Sequence, residues 1–245
     1  MAFERINVLG VPVDVCAPED FENQILELLA RPGAKQIVFL NIWGLLKARG
    51  KNNFAECVHS ADLILPISKS ILKGAAFLRK SVPTRYNPFP AVINLLTILD
   101  SHYKSLYLLG GRKRILQKAS ENVRKTFPNL HLVGRYSGHY PRAMEDNIIQ
   151  AIYKASPSLV IMSEGVKERE CWSYNRRNRF SNSIFLYYRE CLGIFSEHTK
   201  RIKESTFDRG HEIYHEIFRN PFKIFLIFPY MYYKILLVWY RLAGK

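Results

Sequence analysis

Short β-rich apolar runs alternate with segments of helical period along most of the chain, and this alternation narrows the choice of fold more than any other feature. Parallel strands joined by crossover helices produce such a pattern. The sequence therefore predicts an α/β fold with a Rossmann-like, mostly parallel sheet flanked by helices. The predicted strands are a pair within Ile6–Val15 that breaks at Gly10, followed by Gln36–Leu40, Leu63–Leu65, Ser105–Leu109, His131–Gly134, Leu159–Met162 and Ile184–Tyr187.

Two helices are predicted most clearly between these strands. Pro18–Leu29 carries acidic residues in its first turns, where the helix dipole favours negative charge. The segment Arg112–Phe127 has apolar residues on one face and charged residues on the other, which is typical of a helix that covers a sheet.

The end of the chain has a different pattern. Strand patterning stops near Ser196, so the sequence predicts an α/β domain over residues 1–196 and a helical appendage over residues 197–245. Within the appendage, Lys223, Lys234 and Arg241 interrupt an aromatic, apolar run before it reaches the roughly 18 to 20 residues that a spanning helix needs. We expect this amphipathic segment to lie on a bilayer surface. The alternative is a terminal helix packed into the core.

A formal net charge of +15 calls for an anionic partner, which could be nucleic acid, phospholipid or a phosphorylated substrate. The segment from Lys167 to Arg179 sets cations beside Trp172 and Tyr174, as in proteins that bind single-stranded nucleic acid. No helix-turn-helix, zinc-finger or RNP-type string accompanies it, so no nucleic-acid partner is expected.

Other features bear on location and on metals. The first ten residues, MAFERINVLG, interleave acid and base, which is unlike a secretory signal and indicates a cytoplasmic protein. The four cysteines are widely spaced, as expected for reduced thiols. No D-x-D string or other carboxylate pair suited to a magnesium diphosphate is evident, so no metal or cofactor is expected.

The glycine pair Gly110–Gly111 follows a predicted strand and precedes a basic helix. Such a loop can direct backbone N–H groups and a helix N-terminus at a diphosphate. The spacing of a dinucleotide fingerprint is missing, so a plain glycine turn is the alternative.

The string HEIYH, from His211 to His215, matches the H-E-x-x-H pattern of zinc metallopeptidases. Zinc catalysis needs a third protein ligand, and no Asp, Glu, Cys or His follows Glu216. His198 upstream is the remaining candidate. The alternative interpretation is an amphipathic helix with Ile213 and Ile217 facing inward.

A series of segments resembles the TagA/CpsF/WecG family of bacterial glycosyltransferases over nearly the whole chain. The series comprises INVLGVPVDV, LNIWGLLKARG with Asn41, SADLILP, LYLLGG, SENVRKTFPNLHLVG, Gly138, Gly165–Val166 with Glu170 and Trp172, Lys200–Arg201, and Gly210 and Glu212 with Pro221. The resemblance implies transfer of an N-acetylhexosamine-type sugar from a UDP-sugar to a polyprenyl-diphosphate-linked acceptor in surface polysaccharide or glycopolymer synthesis. It also implies a peripheral protein on the cytoplasmic face of the bacterial inner membrane.

The chain departs from the family where the resemblance would place the chemistry. The aspartate expected to deprotonate the acceptor is replaced by Ile67, which cannot accept a proton. Phe39 replaces a threonine, Arg169 a glutamine and Asn87 an aspartate, Arg85 stands at a glycine, and Glu216 replaces an arginine of the tail.

Two explanations follow from these departures. In a divergent transferase, Asp62, Glu164, Glu168 or Glu170 would be the base, with Glu164 preferred because it follows the strand Leu159–Met162. In an inactive homologue, the same fold would bind a lipid-linked sugar or a partner transferase. The sequence does not determine the oligomeric state, and a homo-oligomer is one of the options. The predicted substrate-binding residues are Asn41, Lys69, Arg85, Asn87, Gly110, Gly111, Lys167, Arg169, Glu170, Lys200, Arg201, Arg219 and Lys223.

Overall fold

The computed structural model of the protein describes residues 4–201, 204–209, 225 and 227–244. The chain opens with a β-hairpin of two antiparallel strands, β1 (Glu4–Val8) and β2 (Val11–Val15). Leu9 and Gly10 connect them, both with positive φ, as a type I′ hairpin turn requires. The break predicted at Gly10 is thus confirmed.

A six-stranded parallel sheet forms the centre of the molecule, in the order β4-β3-β8-β7-β5-β6. The first and last of its strands along the chain, β3 and β8, are neighbours, with Lys35 opposite Ile184. The six strands are β3 (Lys35–Leu40), β4 (Leu63–Pro66), β5 (Ser105–Leu109), β6 (His131–Tyr136), β7 (Leu159–Met162) and β8 (Ile184–Tyr187). The predicted α/β class is confirmed.

Helices cover both faces of the sheet. They are α1 (Phe21–Ala30), α2 (Ile42–Ala48), α3 (Asn53–His59), α4 (Lys69–Phe77), α5 (Pro88–Ser101), α6 (Lys113–Thr126), α7 (Glu145–Ala155), α8 (Cys171–Asn175), α9 (Cys191–Phe195), α10 (Glu204–Arg209) and α11 (Ile227–Leu242), with short 3-10 turns at Pro18–Asp20, Arg142–Met144 and Arg177–Arg179.

Three apolar clusters hold these layers together. The first packs α1, α5, α6 and α9 against one face of the sheet. The second joins the hairpin, α2, α3, α4 and α11 on the other face, and the third joins α7 and α8 to β5, β7 and β8. On α6 the predicted inward face is confirmed, since Leu116, Ala119 and Val123 are buried.

The terminal helix α11 lies with one face against the body of the protein. Tyr233 is fully buried and its hydroxyl donates to the carbonyl oxygen of Ser70 at 2.6 Å. Arg49 links the hairpin to the same helix. It donates to the Leu9 carbonyl in the hairpin turn, and its guanidinium lies over the ring of Tyr240 on α11. Pro229 lies in the first turn, where a proline is tolerated.

The opposite face of α11 is apolar and open to solvent. Its exposed side chains are Phe228, Met231, Tyr232, Ile235, Val238, Trp239 and Leu242. No helix in the described residues is long and apolar enough to cross a bilayer.

Gly74 on α4 allows a test of the packing between α4 and α11. A Cβ atom at this position would overlap the hydroxyl oxygen of Tyr233, so even alanine forces the buried Tyr233 side chain or the helix that carries it to shift. In an undisturbed helix, Gly→Ala is stabilising by about 1 kcal/mol. We predict instead that Gly74→Ala lowers the free energy of unfolding by about 1–3 kcal/mol in chemical denaturation, and speeds hydrogen exchange in α11.

Ala76→Ser is the matched control, because Ala76 is exposed on the same helix and should change the stability by no more than about 0.5 kcal/mol. Stabilisation by Gly74→Ala would show that α11 does not rest on α4.

Candidate functional site

A cavity of about 340 Å³ lies where the carboxyl ends of β3, β4 and β8 meet. This is the edge of a parallel sheet at which ligands bind in open α/β folds, and the volume suits a small molecule. The cavity is lined by Phe39, Asn41, Ile42, Trp43, Ile67, Ser68, Asn87, Pro88, Phe89, Arg169, Glu170, Tyr187, Tyr188, Arg189, Glu190 and Phe207.

Two asparagines predicted to bind substrate line this cavity. Asn41 caps α2, because its side-chain oxygen accepts from the amide of Gly44 at 2.7 Å. Its side-chain nitrogen has no hydrogen-bond partner among the described residues. Asn87 precedes α5 and its side chain makes no capping bond, so it too can offer an amide to a ligand.

Arg169 and Glu170 reach the cavity from the loop after β7. Arg169 is exposed, whereas Glu170 is partly buried and its carbonyl oxygen accepts from the side chain of Gln36 at 2.7 Å. Burial raises the pKa of the Glu170 carboxyl above its ordinary value. Glu170 is therefore a carboxylate at the cavity wall with an increased affinity for a proton.

The residue that replaces the family's aspartate also lines the cavity. Ile67 follows β4, and its amide donates to the Leu40 carbonyl across the strand ends. The position where the resemblance implies a proton acceptor is thus an apolar part of the wall.

Lys69 and Arg85 support the wall from outside. Arg85 donates to the carbonyl oxygens of Ile67 and Phe207 and stacks on the Phe207 ring at 3.6 Å. Lys69 donates to the carbonyl of Asp208 at 3.3 Å. Both cations therefore hold α10 beside the cavity, and neither is among its lining residues.

Gly110 and Gly111 lie away from the cavity, after β5. Their amides donate to the carbonyls of Tyr136 and Glu164, at 2.9 and 2.7 Å, so both are used within the protein. A Cβ atom at Gly110 would lie 2.9 Å from the backbone of Ser163, which explains the glycine as a close contact between two loops. The expected phosphate contact has no support in this geometry.

Glu164, the predicted catalytic base, is exposed and is not among the cavity's lining residues. Its backbone joins neighbouring loops, because its carbonyl accepts from Gly111 and its amide donates to Arg189. The loop after β7 does reach the cavity, but through Arg169 and Glu170 rather than through Glu164.

The remaining predicted residues lie elsewhere. Lys167 is exposed and does not line the cavity, and Lys200 and Arg201 border a separate open groove that shares only Phe89 with it. Arg219, Lys223 and the HEIYH string lie outside the described residues. Among the described residues, no group of three His, Cys, Asp or Glu side chains could hold a metal ion.

The segment that suggested nucleic-acid binding uses its rings and charges internally. Trp172 is fully buried and donates to Glu145 at 2.9 Å, so its ring is not available to a base. Arg179 pairs with Asp146, and Arg177 stacks on Tyr174.

Sequence reasoning missed the aromatic part of the cavity. Trp43, Tyr187 and Tyr188 line it, and Arg189 stands next to them. Tyr188 follows β8 directly, so the same strand-end rule would have found it once β8 was known to pair with β3.

Comparison with known proteins identifies a family match and two relatives. The profile described as "Glycosyl transferase WecG/TagA/CpsF family" matches residues 6–245. An N-acetylglucosaminyldiphosphoundecaprenol N-acetyl-beta-D-mannosaminyltransferase of Bacillus spizizenii is 24% identical over 169 residues, 69% of this chain and 65% of that protein. The protein of the same name from Bacillus subtilis is 20% identical over 173 residues, 70% of this chain and 66% of the relative.

Each alignment therefore spans slightly less than two thirds of the relative. The family profile, in contrast, covers the chain almost from end to end and agrees with the resemblance seen in its motifs. On this evidence the chain belongs to the WecG/TagA/CpsF family of glycosyltransferases.

Proposed function

We propose that the protein is a membrane-associated glycosyltransferase that moves an N-acetylhexosamine-type sugar from a UDP-sugar to a polyprenyl-diphosphate-linked acceptor. The observation that carries the proposal is the cavity at the ends of β3, β4 and β8. It gathers Asn41, Ile67 and Glu170, three positions of the family's motifs that are far apart along the chain. The acceptor chemistry is that named for the two Bacillus relatives.

Polar side chains in the cavity suit a nucleotide sugar. Arg169 and Arg189 supply positive charge for a diphosphate, as charge-assisted hydrogen bonds to phosphate oxygens require. Asn41 and Asn87 offer amides to sugar hydroxyl or acetamido groups. The rings of Trp43, Tyr187 and Tyr188 supply flat apolar surface for a base or a sugar ring.

Glu170 is our proposed proton acceptor. In the transfer, an acceptor hydroxyl oxygen bonds to the anomeric carbon, the bond from that carbon to the UDP oxygen breaks, and the hydroxyl proton passes to the carboxylate. A partly buried carboxylate with a raised pKa holds that proton better than an exposed one. Ile67 cannot take this role, and Glu164 lies outside the cavity.

The exposed face of α11 is our proposed membrane contact. It carries aromatic and aliphatic side chains, and Lys234 and Arg241 stand over the rings of Tyr230 and Phe77. Such a face gains apolar burial in the headgroup boundary and attraction to anionic lipid. A polyprenyl acceptor resides in a bilayer, so this face would bring the protein to its substrate on the cytoplasmic side of the inner membrane.

The alternative is an inactive homologue that binds a lipid-linked sugar or a partner transferase. The observation in its favour is the apolar side chain of Ile67 in the cavity wall. Under this alternative the cavity binds nucleotide or sugar, but no UDP is released.

Turnover gives the first test of the function. Purified protein is incubated with a panel of UDP-sugars and a short-chain polyprenyl-diphosphate sugar, and UDP release is measured. We predict that Glu170→Gln lowers kcat by about 100-fold or more, because removal of a general base costs this much. For the wild type, kcat/KM should fall on acidification at a pH above the ordinary glutamate pKa of about 4.3, since only the carboxylate accepts a proton.

Glu121→Gln, on the exposed face of α6, is the matched control and should leave kcat unchanged. A large loss in Glu164→Gln with none in Glu170→Gln would return the role to Glu164. Binding of UDP without its release under any pairing would favour the inactive homologue.

Flotation with lipid vesicles tests the membrane contact. The triple variant Phe228→Ser, Ile235→Ser, Leu242→Ser should bind vesicles of phosphatidylglycerol and phosphatidylcholine at least about tenfold more weakly than the wild type, because it removes exposed apolar surface. Binding should also weaken as salt rises or as phosphatidylglycerol is omitted.

Val133→Ser with Tyr153→Ser is the control, since both residues are exposed apolar side chains on other elements. Equal vesicle binding by the triple variant and the wild type would exclude α11 as the contact.

A further inference from the structure

Two consecutive residues in the loop that leads to Glu170 have left-handed backbones. Glu168 has φ of 64° and Arg169 has φ of 50°, and neither is glycine. This conformation is costly for residues with a Cβ atom, so surrounding contacts must impose it. Strain of this kind directly beside cavity residues points to a function for the loop.

Arg176 and Asn175 bind the side chain of Glu168, the first of these two residues. The Arg176 guanidinium donates to both carboxylate oxygens of Glu168, at 3.1 and 3.0 Å, and Asn175 donates to the same carboxylate at 2.7 Å. These hydrogen bonds lower the pKa of Glu168, which therefore stays charged at neutral pH.

Arg176 is itself held in place. It is largely buried, donates to Glu145 at 3.0 Å and to the carbonyl of Trp172 at 2.9 Å, and stacks on the Trp172 ring. Its position is thus determined by α7 and α8, and the bidentate bond transfers that position to the loop. Glu168 and Arg176 do not line the cavity.

Backbone hydrogen bonds from the start of α8 also hold the loop. The amide of Cys171 donates to the Glu168 carbonyl at 3.0 Å and that of Trp172 to the Arg169 carbonyl at 3.1 Å. The Glu170 carbonyl accepts from Gln36. The backbone of all three acceptor residues is therefore anchored, and two of them, Arg169 and Glu170, line the cavity.

We propose that Arg176 and Glu168 form a clamp that holds the loop in its left-handed conformation and so positions Arg169 and Glu170 for a ligand of the cavity. Arg176 and Glu168 are positioning residues in this view. The inference rests on the proposed function only for the nature of the ligand, a nucleoside diphosphate.

Substitutions of Glu168 separate the clamp from other roles of Arg176. Glu168→Ala removes the ion pair but keeps the cost of the left-handed backbone. Glu168→Gly removes the pair and the cost together, because glycine adopts positive φ freely. We expect Glu168→Ala to bind UDP about 5- to 30-fold more weakly than the wild type, and Glu168→Gly to recover most of that loss.

Two measurements on the full chain report the outcome. Isothermal titration with UDP gives the affinity, and hydrogen exchange of the Cys171 and Trp172 amides in ligand-free protein reports the loop itself. Exchange should be faster in Glu168→Ala than in Glu168→Gly or the wild type. Arg179→Ala is the control, because it breaks an exposed ion pair with Asp146 on the same segment and should change neither quantity.

Failure of the clamp and failure of the proposed function give different results. Wild-type exchange and affinity in Glu168→Ala, or equal losses in Glu168→Ala and Glu168→Gly, would overturn the clamp. If wild-type protein binds no UDP, the proposed function fails, and the exchange comparison alone then decides for or against the clamp.

Discussion

The pairing of β3 with β8 is the interaction on which the rest of the structure depends. It brings the first and last strands of the parallel sheet side by side, with three residue pairs in register from Lys35 opposite Ile184 to Ile37 opposite Leu186. Residues after β3 and after β8 are more than 140 positions apart in sequence, yet they face one cavity. Without this pairing, Asn41 and Tyr187 would not line the same cavity.

The same pairing explains why the fold class could be predicted from the sequence while the position of the cavity could not. The strands and the class of fold follow from local patterns, because alternation of apolar runs with helical periods is a property of neighbouring residues. The order of strands in the sheet is not local. The rule that ligands bind at carboxyl ends was applied to β5 and β7, which led to Gly110 and Glu164. The cavity lies at the ends of β3, β4 and β8, and the loop after β7 reaches it only through Arg169 and Glu170.

The family motifs contribute residues both inside and outside the cavity. Asn41, Asn87, Arg169 and Glu170 line it, whereas Gly110–Gly111 and Lys200–Arg201 do not. The cations Lys69 and Arg85 could not be assigned from sequence, because their role depends on contacts with Phe207 and Asp208 of α10, over 120 positions away. The amphipathic end was also predicted, but its buried face required the fit of Tyr233 over Gly74.

The substitution of the family's aspartate by Ile67 alters one wall of the cavity and leaves the rest polar. Glu170 stands in the same cavity with a raised pKa, on a loop whose strained backbone is anchored by buried groups. This arrangement is the physical basis of our proposal that Glu170 accepts the proton in place of the family's aspartate.

A crystal structure of the protein with UDP bound tests the central claim most directly, because it shows where the nucleotide lies. We predict electron density in the cavity between the ends of β3, β4 and β8, with the diphosphate next to Arg169. Density at the Gly110–Gly111 turn, or contact of the diphosphate with Glu164 and Lys167 instead, would contradict the account.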